Sequence, residues 1–129
     1  MSDKPKAGNI AWRDLTVPDA EPIKKFYEKV VGWKSDPVDM GGYNDFNMNI
    51  SESGETTAGI CNARGTNKNF PPFWLIYINV ENIKKSVEAC LEHGGKLVVE
   101  IKDMGDSGKY CVIQDPAGAY SALFESTEH

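Results

Sequence analysis

Between Ile10 and Val17 the side chains alternate. Trp12, Asp14 and Thr16 point one way and Ala11, Arg13, Leu15 and Val17 the other, which predicts a strand. The period then changes. Ile23, Phe26, Tyr27 and Val30 recur at i, i+3, i+4 and i+7, one buried stripe of a helix. Asp19 can cap that helix, Pro22 is tolerated in its first turn, and Gly32 can end it. Runs at 34–39, 43–50 and 56–62 predict three more strands, with Gly41-Gly42 and Ser53-Gly54 turning between them. After a polar connection at 64–72 the order restarts. A strongly apolar strand at 73–80 leads to a helix from about Asn82 to His93, striped by Ile83, Val87, Cys90 and Leu91 and ended by Gly94-Gly95. Strands near 96–102, 109–114 and 119–125 follow, the last two separated by the turn Asp115-Pro116-Ala117-Gly118.

The chain therefore reads strand, helix, three strands, twice over: an α+β protein of two βαβββ modules. Ile23-Lys24-Lys25 recurs as Ile83-Lys84-Lys85, and Val17 and Val80 each close a first strand. Gly54 and Gly118 fall in equivalent turns, followed four residues later by Ala58 and Ala122. At 129 residues the chain can bury a core without disulfide staples. The expected organisation is a flexible N-terminus at 1–8 and a single domain at 9–129, with module one at about 9–63 and module two at about 72–126.

Charge and cysteine content narrow the functional classes. Fourteen Lys and Arg against 19 Asp and Glu give a net charge of -5, which disfavours nucleic acid and anionic membrane as partners. No apolar stretch approaches the roughly 20 residues of a membrane span, and Met1-Ser2-Asp3-Lys4 carries no apolar signal core. Cys61, Cys90 and Cys111 lack zinc-type spacing and are expected to be reduced thiols of a cytoplasmic protein. Cys61, near Arg64, is expected to be a buried inert thiol.

Asp14-Leu15-Thr16-Val17-Pro18-Asp19, then Phe26-Tyr27 and Val31-Gly32-Trp33, resembles the opening of the vicinal oxygen chelate superfamily. That superfamily includes glyoxalase I, extradiol dioxygenases, fosfomycin-modifying enzymes and bleomycin-binding proteins. Trp74, Tyr77 and Val80, then Gly94-Gly95-Lys96, then Asp115-Pro116-Ala117-Gly118-Ala119 agree in the second half, so the resemblance covers about residues 9 to 125. It implies two curled half-barrels with helices outside and a cavity on the concave side. It also implies pairing of half-barrels, either as a homodimer or within the chain.

In metal-using members, four side chains from the first and last strand of each module chelate a divalent ion. Carried onto this chain, those positions are Trp12, Ala58, Leu75 and Ala122. None is a His, Glu or similar donor, and a slip of one residue does not produce such a set. The expectation is accordingly no metal and no cofactor. Side chains sharing the cavity side by alternation would be Trp12, Asp14, Ala58, Leu75, Tyr77, Asn79, Tyr120, Ala122 and Phe124, an aromatic lining with small gaps and a few polar handles. Such a lining suits a small aromatic or amphiphilic molecule, bound by sequestration. Two alternatives stay open. One is an enzyme, a lyase or oxidoreductase, using non-standard metal ligands or acid–base chemistry by Asp14 with Tyr77 or Tyr120. The other is a barrel filled by Trp12, Leu75, Tyr77 and Phe124. The pattern does not say which side of the third strand (Phe46, Met48 or Asp45, Asn47, Asn49) is concave, nor how the seventh faces.

Overall fold

The computed structural model describes residues 6–65 and 68–127. Along the chain lie β1 (Ile10–Val17), α1 (Ala20–Val30), β2 (Lys34–Asp39), β3 (Asn44–Asn49), β4 (Thr56–Asn62) and β5 (Trp74–Asn79). They are followed by α2 (Ile83–Glu92), β6 (Lys96–Asp103), β7 (Gly108–Gln114) and β8 (Tyr120–Ser126). The order is the α+β repeat that the two periodicities predict. The elements gather into two compact units, one of Trp12–Trp74 and the other of Leu75 onward together with the segment preceding Trp12.

In the first unit the strand order is β2-β3-β4-β1. β2, β3 and β4 pair antiparallel, and β1 runs parallel to β4. A parallel pair cannot be closed by a hairpin, and here α1 and the β2-β3 hairpin make the long connection. Pro37, which has no N–H to give a ladder, sits on β2 at the end of the order. Asp19 is extended and accepts from the Glu21 N–H at 3.4 Å, while the Ala20 N–H donates to Asn62 Oδ1 at 3.0 Å, tying the helix start to β4. The core beneath α1 is Leu15, Val17, Ala20, Phe46, Met48, Ala58 and Ile60. β3 thus turns Phe46 and Met48 toward the helix and Asp45, Asn47 and Asn49 away from it. The predicted helix stripe is rotated. Phe26 and Val30 are 54% and 64% exposed, whereas Lys24 lays its ammonium 5.0 Å from the centroid of the Phe46 ring. A lysine stem covers apolar surface and attracts the ring face, so it takes the place periodicity gives to Phe26.

In the second unit the order is β5-β8-β7-β6, again with a parallel pair, β5 with β8. Two side chains satisfy the start of α2. Asn82 accepts from the Lys85 N–H at 3.1 Å and Glu125 Oε1 from the Ile83 N–H at 2.8 Å, so the end of β8 holds the helix N-terminus. Ile83, Val87, Cys111 and Leu123 form the core, with Ile78, Val80, Leu97, Ile101 and Ile113 packed on it. Leu91, placed in the stripe by periodicity, is 54% exposed. At Gly95 any Cβ would collide with Cys90 Sγ and lie 3.0 Å from the Gln114 carbonyl, so only glycine lets the chain leave α2 this closely. The expected flexible N-terminus lies outside the described residues at 1–5. Beyond it, the Gly8 N–H donates to the Asn79 carbonyl at 2.7 Å and the Asn79 N–H to Asn9 O at 2.8 Å.

Candidate functional site

Residues paired across neighbouring strands point to the same side of a sheet, so register decides which side chains share a face. In the first unit Asp14 pairs with Gly59, Leu15 with Ile60 and Thr16 with Cys61. Trp12, Asp14, Thr16, Gly59 and Cys61 therefore face away from α1. Ala58 does not join them. It is fully buried in the α1 core, one residue out of step with the face on which the sequence places it. The cause is local. Met48 pairs with Ala58 but Asn49 with Thr56, leaving Thr57 as an extra residue in β4 that a count from Gly54 does not see. Gly59 takes the position instead. A Cβ there would lie 3.1 Å from Trp12 Cζ2 and 3.4 Å from Asp14 Cβ, so the indole covers a site that only glycine leaves clear.

The rest of this face is polar. Asn47 pairs with Gly59, and Asn49 donates to Asp36 Oδ2 at 2.8 Å and accepts from Thr56 Oγ1 at 2.7 Å. Burial pushes the Cys61 thiol up to about 12, and the charges of Asp14 and Asp45 and a hydrogen bond to Asp45 act in the same direction. A thiol so held is protonated at neutral pH and serves poorly as nucleophile or metal ligand.

In the second unit Tyr77 pairs with Ala122 and Asn79 with Phe124, so Leu75, Tyr77, Asn79, Tyr120, Ala122 and Phe124 share the face away from α2. β7 adds Tyr110, Val112 and Gln114, paired with Phe124, Ala122 and Tyr120. Sequence reasoning misses Tyr110 because Tyr110-Cys111-Val112-Ile113 has no alternation from which to read a facing. Leu75, Asn79, Val112 and Ala122 are buried, while Tyr77, Tyr110, Tyr120 and Phe124 are only half-buried. The Tyr77 and Tyr110 rings stand 6.2 Å apart at 45°. Asn79 is 3% exposed, and neither its Nδ2 nor its Oδ1 has a hydrogen-bond partner.

A separate cavity of about 380 Å³ opens on the α1 side of the first unit, lined by Leu15, Val17, Ile23, Phe26, Tyr27, Pro72, Phe73 and Trp74. Tyr27 organises its aromatic wall. Its ring stacks on Trp33 at 5.7 Å and meets Trp74 edge-on at 5.5 Å, and its hydroxyl accepts from Trp74 Nε1 at 3.2 Å. The sequence reading assigns no site here, because it treats the helix stripe as core.

Of the residues onto which the resemblance carries ligand positions, Trp12 and, in place of Ala58, Gly59 lie on the face of the first unit away from α1, and Leu75 and Ala122 on the face of the second away from α2. An indole N–H only donates, and glycine, leucine and alanine offer no side-chain lone pair, so neither pair supplies a donor to a divalent ion. Among the described residues no three His, Cys, Asp or Glu side chains are grouped so as to hold a metal ion. None of the helices among the described residues is long and apolar enough to cross a membrane.

The model of a family described as Glyoxalase/Bleomycin resistance protein/Dioxygenase superfamily matches residues 9–121. Among curated relatives, "Putative glyoxylase CFP32" of Mycobacterium tuberculosis is 33% identical over 129 residues, covering 96% of this chain and 48% of that protein. "Anthracycline biosynthesis protein DnrV" of Streptomyces peucetius is 27% identical over 133 residues, covering 91% of this chain and 46% of that protein. The chain thus spans about half the length of the curated relatives it matches. Among solved structures, a hypothetical protein of Bacillus halodurans C-125 aligns with a TM-score of 0.64 at 15% identity, covering 96% of this chain and 98% of that one. Methylmalonyl-CoA epimerase of Mycobacterium tuberculosis aligns with a TM-score of 0.57 at 14% identity, covering 98% and 93%. At such identities these two show the fold alone.

Proposed function

The chain belongs to the Glyoxalase/Bleomycin resistance protein/Dioxygenase superfamily, and from that premise we propose that it binds a small aromatic or amphiphilic molecule without a metal. The ligand lies on the face of the second module that carries Tyr77, Tyr110, Tyr120 and Phe124. The observation that carries the reading is the build of that face: four half-buried aromatic side chains around buried Ala122 and Val112, with Asn79 unpaired. Aromatic rings supply contact area, small residues leave room, and a few polar groups orient what is bound. The Streptomyces relative is named for anthracycline biosynthesis, and ring-fused compounds of that shape suit such a face. The reading includes a cytoplasmic homodimer, to be checked by sedimentation.

The test is a ligand-observed NMR screen of flat aromatic compounds against the wild type and a Tyr77→Leu/Tyr110→Leu double variant. Hits should lose about tenfold or more in affinity in the variant, since each stacked ring contributes about 1 kcal/mol beyond its buried area. An empty screen, or hits indifferent to the two substitutions, overturns the proposal. Stoichiometric divalent ion in protein purified without chelator overturns its metal-free part.

A second reading is favoured by the name of the mycobacterial relative, "Putative glyoxylase". It makes the chain an enzyme with Asp14 as the acid–base group. In that case Asp14→Asn abolishes turnover of a bound compound while leaving its affinity within about threefold.

A further inference from the structure

We infer that Asn79 is a specificity-determining residue that selects ligands presenting a hydrogen-bond donor and acceptor side by side, as the edge of a carboxamide, lactam or imide does. The inference rests on the aromatic-face reading and narrows it to a ligand class.

Asn79 ends β5 on the face away from α2, and its pairing partner in β8 is Phe124, which has no polar group to offer. Its own backbone does not occupy the side chain. The N–H bonds to Asn9 O at 2.8 Å and the carbonyl accepts from Gly8 at 2.7 Å. The carboxamide is nonetheless 3% exposed with both polar atoms unpaired. Buried polar groups in folded proteins are almost always satisfied, and each exception calls for a reason. Leucine has the same number and branching of side-chain heavy atoms and leaves nothing unpaired, so an apolar core does not call for an amide here. A ligand that brings both missing partners does. Because Nδ2 donates and Oδ1 accepts within one plane, the complement is a group with its own acceptor and donor on adjacent atoms. A ketone or ether satisfies only the donor, and an ammonium only the acceptor. A site built to bond such a group rejects the analogue lacking it strongly, because the unmatched polar atom stays buried.

Two probes separate these cases: 2-naphthamide and 2-acetylnaphthalene, which share ring and carbonyl but differ in the N–H donor. Titration calorimetry on the wild type should show the amide binding at least about tenfold more tightly. In Asn79→Leu the two affinities should converge, each below its wild-type value, because the ketone also loses its bond from Nδ2. The melting temperature of the ligand-free variant should equal or exceed that of the wild type, since no native hydrogen bond is lost. Equal affinity of the wild type for both probes overturns the inference and leaves the aromatic face standing. Binding of neither probe overturns the aromatic-face reading and this inference with it. A melting temperature more than about 5 °C lower in Asn79→Leu assigns the carboxamide a structural partner such as a buried water, and also overturns the inference. Should the leucine variant misfold, Asn79→Asp keeps the volume and removes the donor. It should lower the ketone affinity below that of the wild type while keeping the amide preference, because the carboxylate still accepts from the amide N–H.

Discussion

Replacing Gly59 by alanine tests the placement of the Trp12 indole. The new Cβ would stand 3.1 Å from Trp12 Cζ2 and 3.4 Å from Asp14 Cβ. Carbon atoms pack best at about 3.5–4.0 Å, so the indole must retreat by several tenths of an ångström. Two effects compete. Gly59 does not have a positive φ, so alanine is free of backbone strain and gains about 0.4–1 kcal/mol by restricting the unfolded chain. Overpacking costs about 1–3 kcal/mol. Crowding wins: Gly59→Ala should lose about 1 kcal/mol and Gly59→Val about 2–3 kcal/mol, the first lowering the melting temperature by about 3 °C. The assay is urea unfolding of Gly59→Ala, Trp12→Ala and the double variant, with the Trp12 indole N–H followed by NMR. With the indole gone the clash is gone, so Gly59→Ala should become neutral or slightly stabilising in that background. The coupling between the two sites should be at least about 1 kcal/mol. If Gly59→Ala stabilises the protein with Trp12 present, the coupling stays within about 0.3 kcal/mol, and the indole signal does not move, the ring does not lie over Gly59 and the facing assigned to Trp12 and Asp14 is wrong.

Three further outcomes are expected. With its thiol raised from 9.0 to about 12, Cys61 should react with iodoacetamide at pH 8 at least about a hundredfold more slowly in the native protein than in the urea-unfolded chain, as read by mass spectrometry. The raised value means the native state holds this proton more tightly. The associated stability is therefore complete below pH 9 and lost as pH rises from 9.0 toward about 12, and Cys61→Ala should flatten that decline in pH-dependent unfolding. At the start of α2, Asn82→Ala and Glu125→Ala should each cost about 1 kcal/mol in chemical denaturation, because each strips an acceptor from an otherwise orphaned N–H. A neutral Glu125→Ala would show that β8 does not hold the helix.

Strand and helix order, the cap at Asp19, and the face shared by Leu75, Tyr77, Asn79, Tyr120, Ala122 and Phe124 were legible in the sequence, because alternation and the 3.6-residue period are local properties of the chain. What was not legible depends on contacts between distant residues. The facing of β3 and β7 is set by which side the helix covers, and Tyr110 joins the aromatic face only through its pairing with Phe124. Ala58 was misplaced because Thr57 adds one residue to β4, and a slip of one reverses every side chain beyond it. Phe26 looked buried because periodicity ranks it above Lys24, yet the lysine stem covers Phe46 and the phenylalanine borders the α1-side cavity.

The parallel pairs β1 with β4 and β5 with β8 have a kinetic consequence. Asp14 meets Gly59 and Tyr77 meets Ala122, so each unit's opening strand waits for a mate made 45 residues later. Until then that strand is an unclaimed edge on a growing polypeptide, and its closure bears the entropy of a long loop. Each half should consequently assemble late and as a whole during synthesis. A ribosome stalled just before Tyr120 should hold a first half already resistant to protease and a second half still open to it.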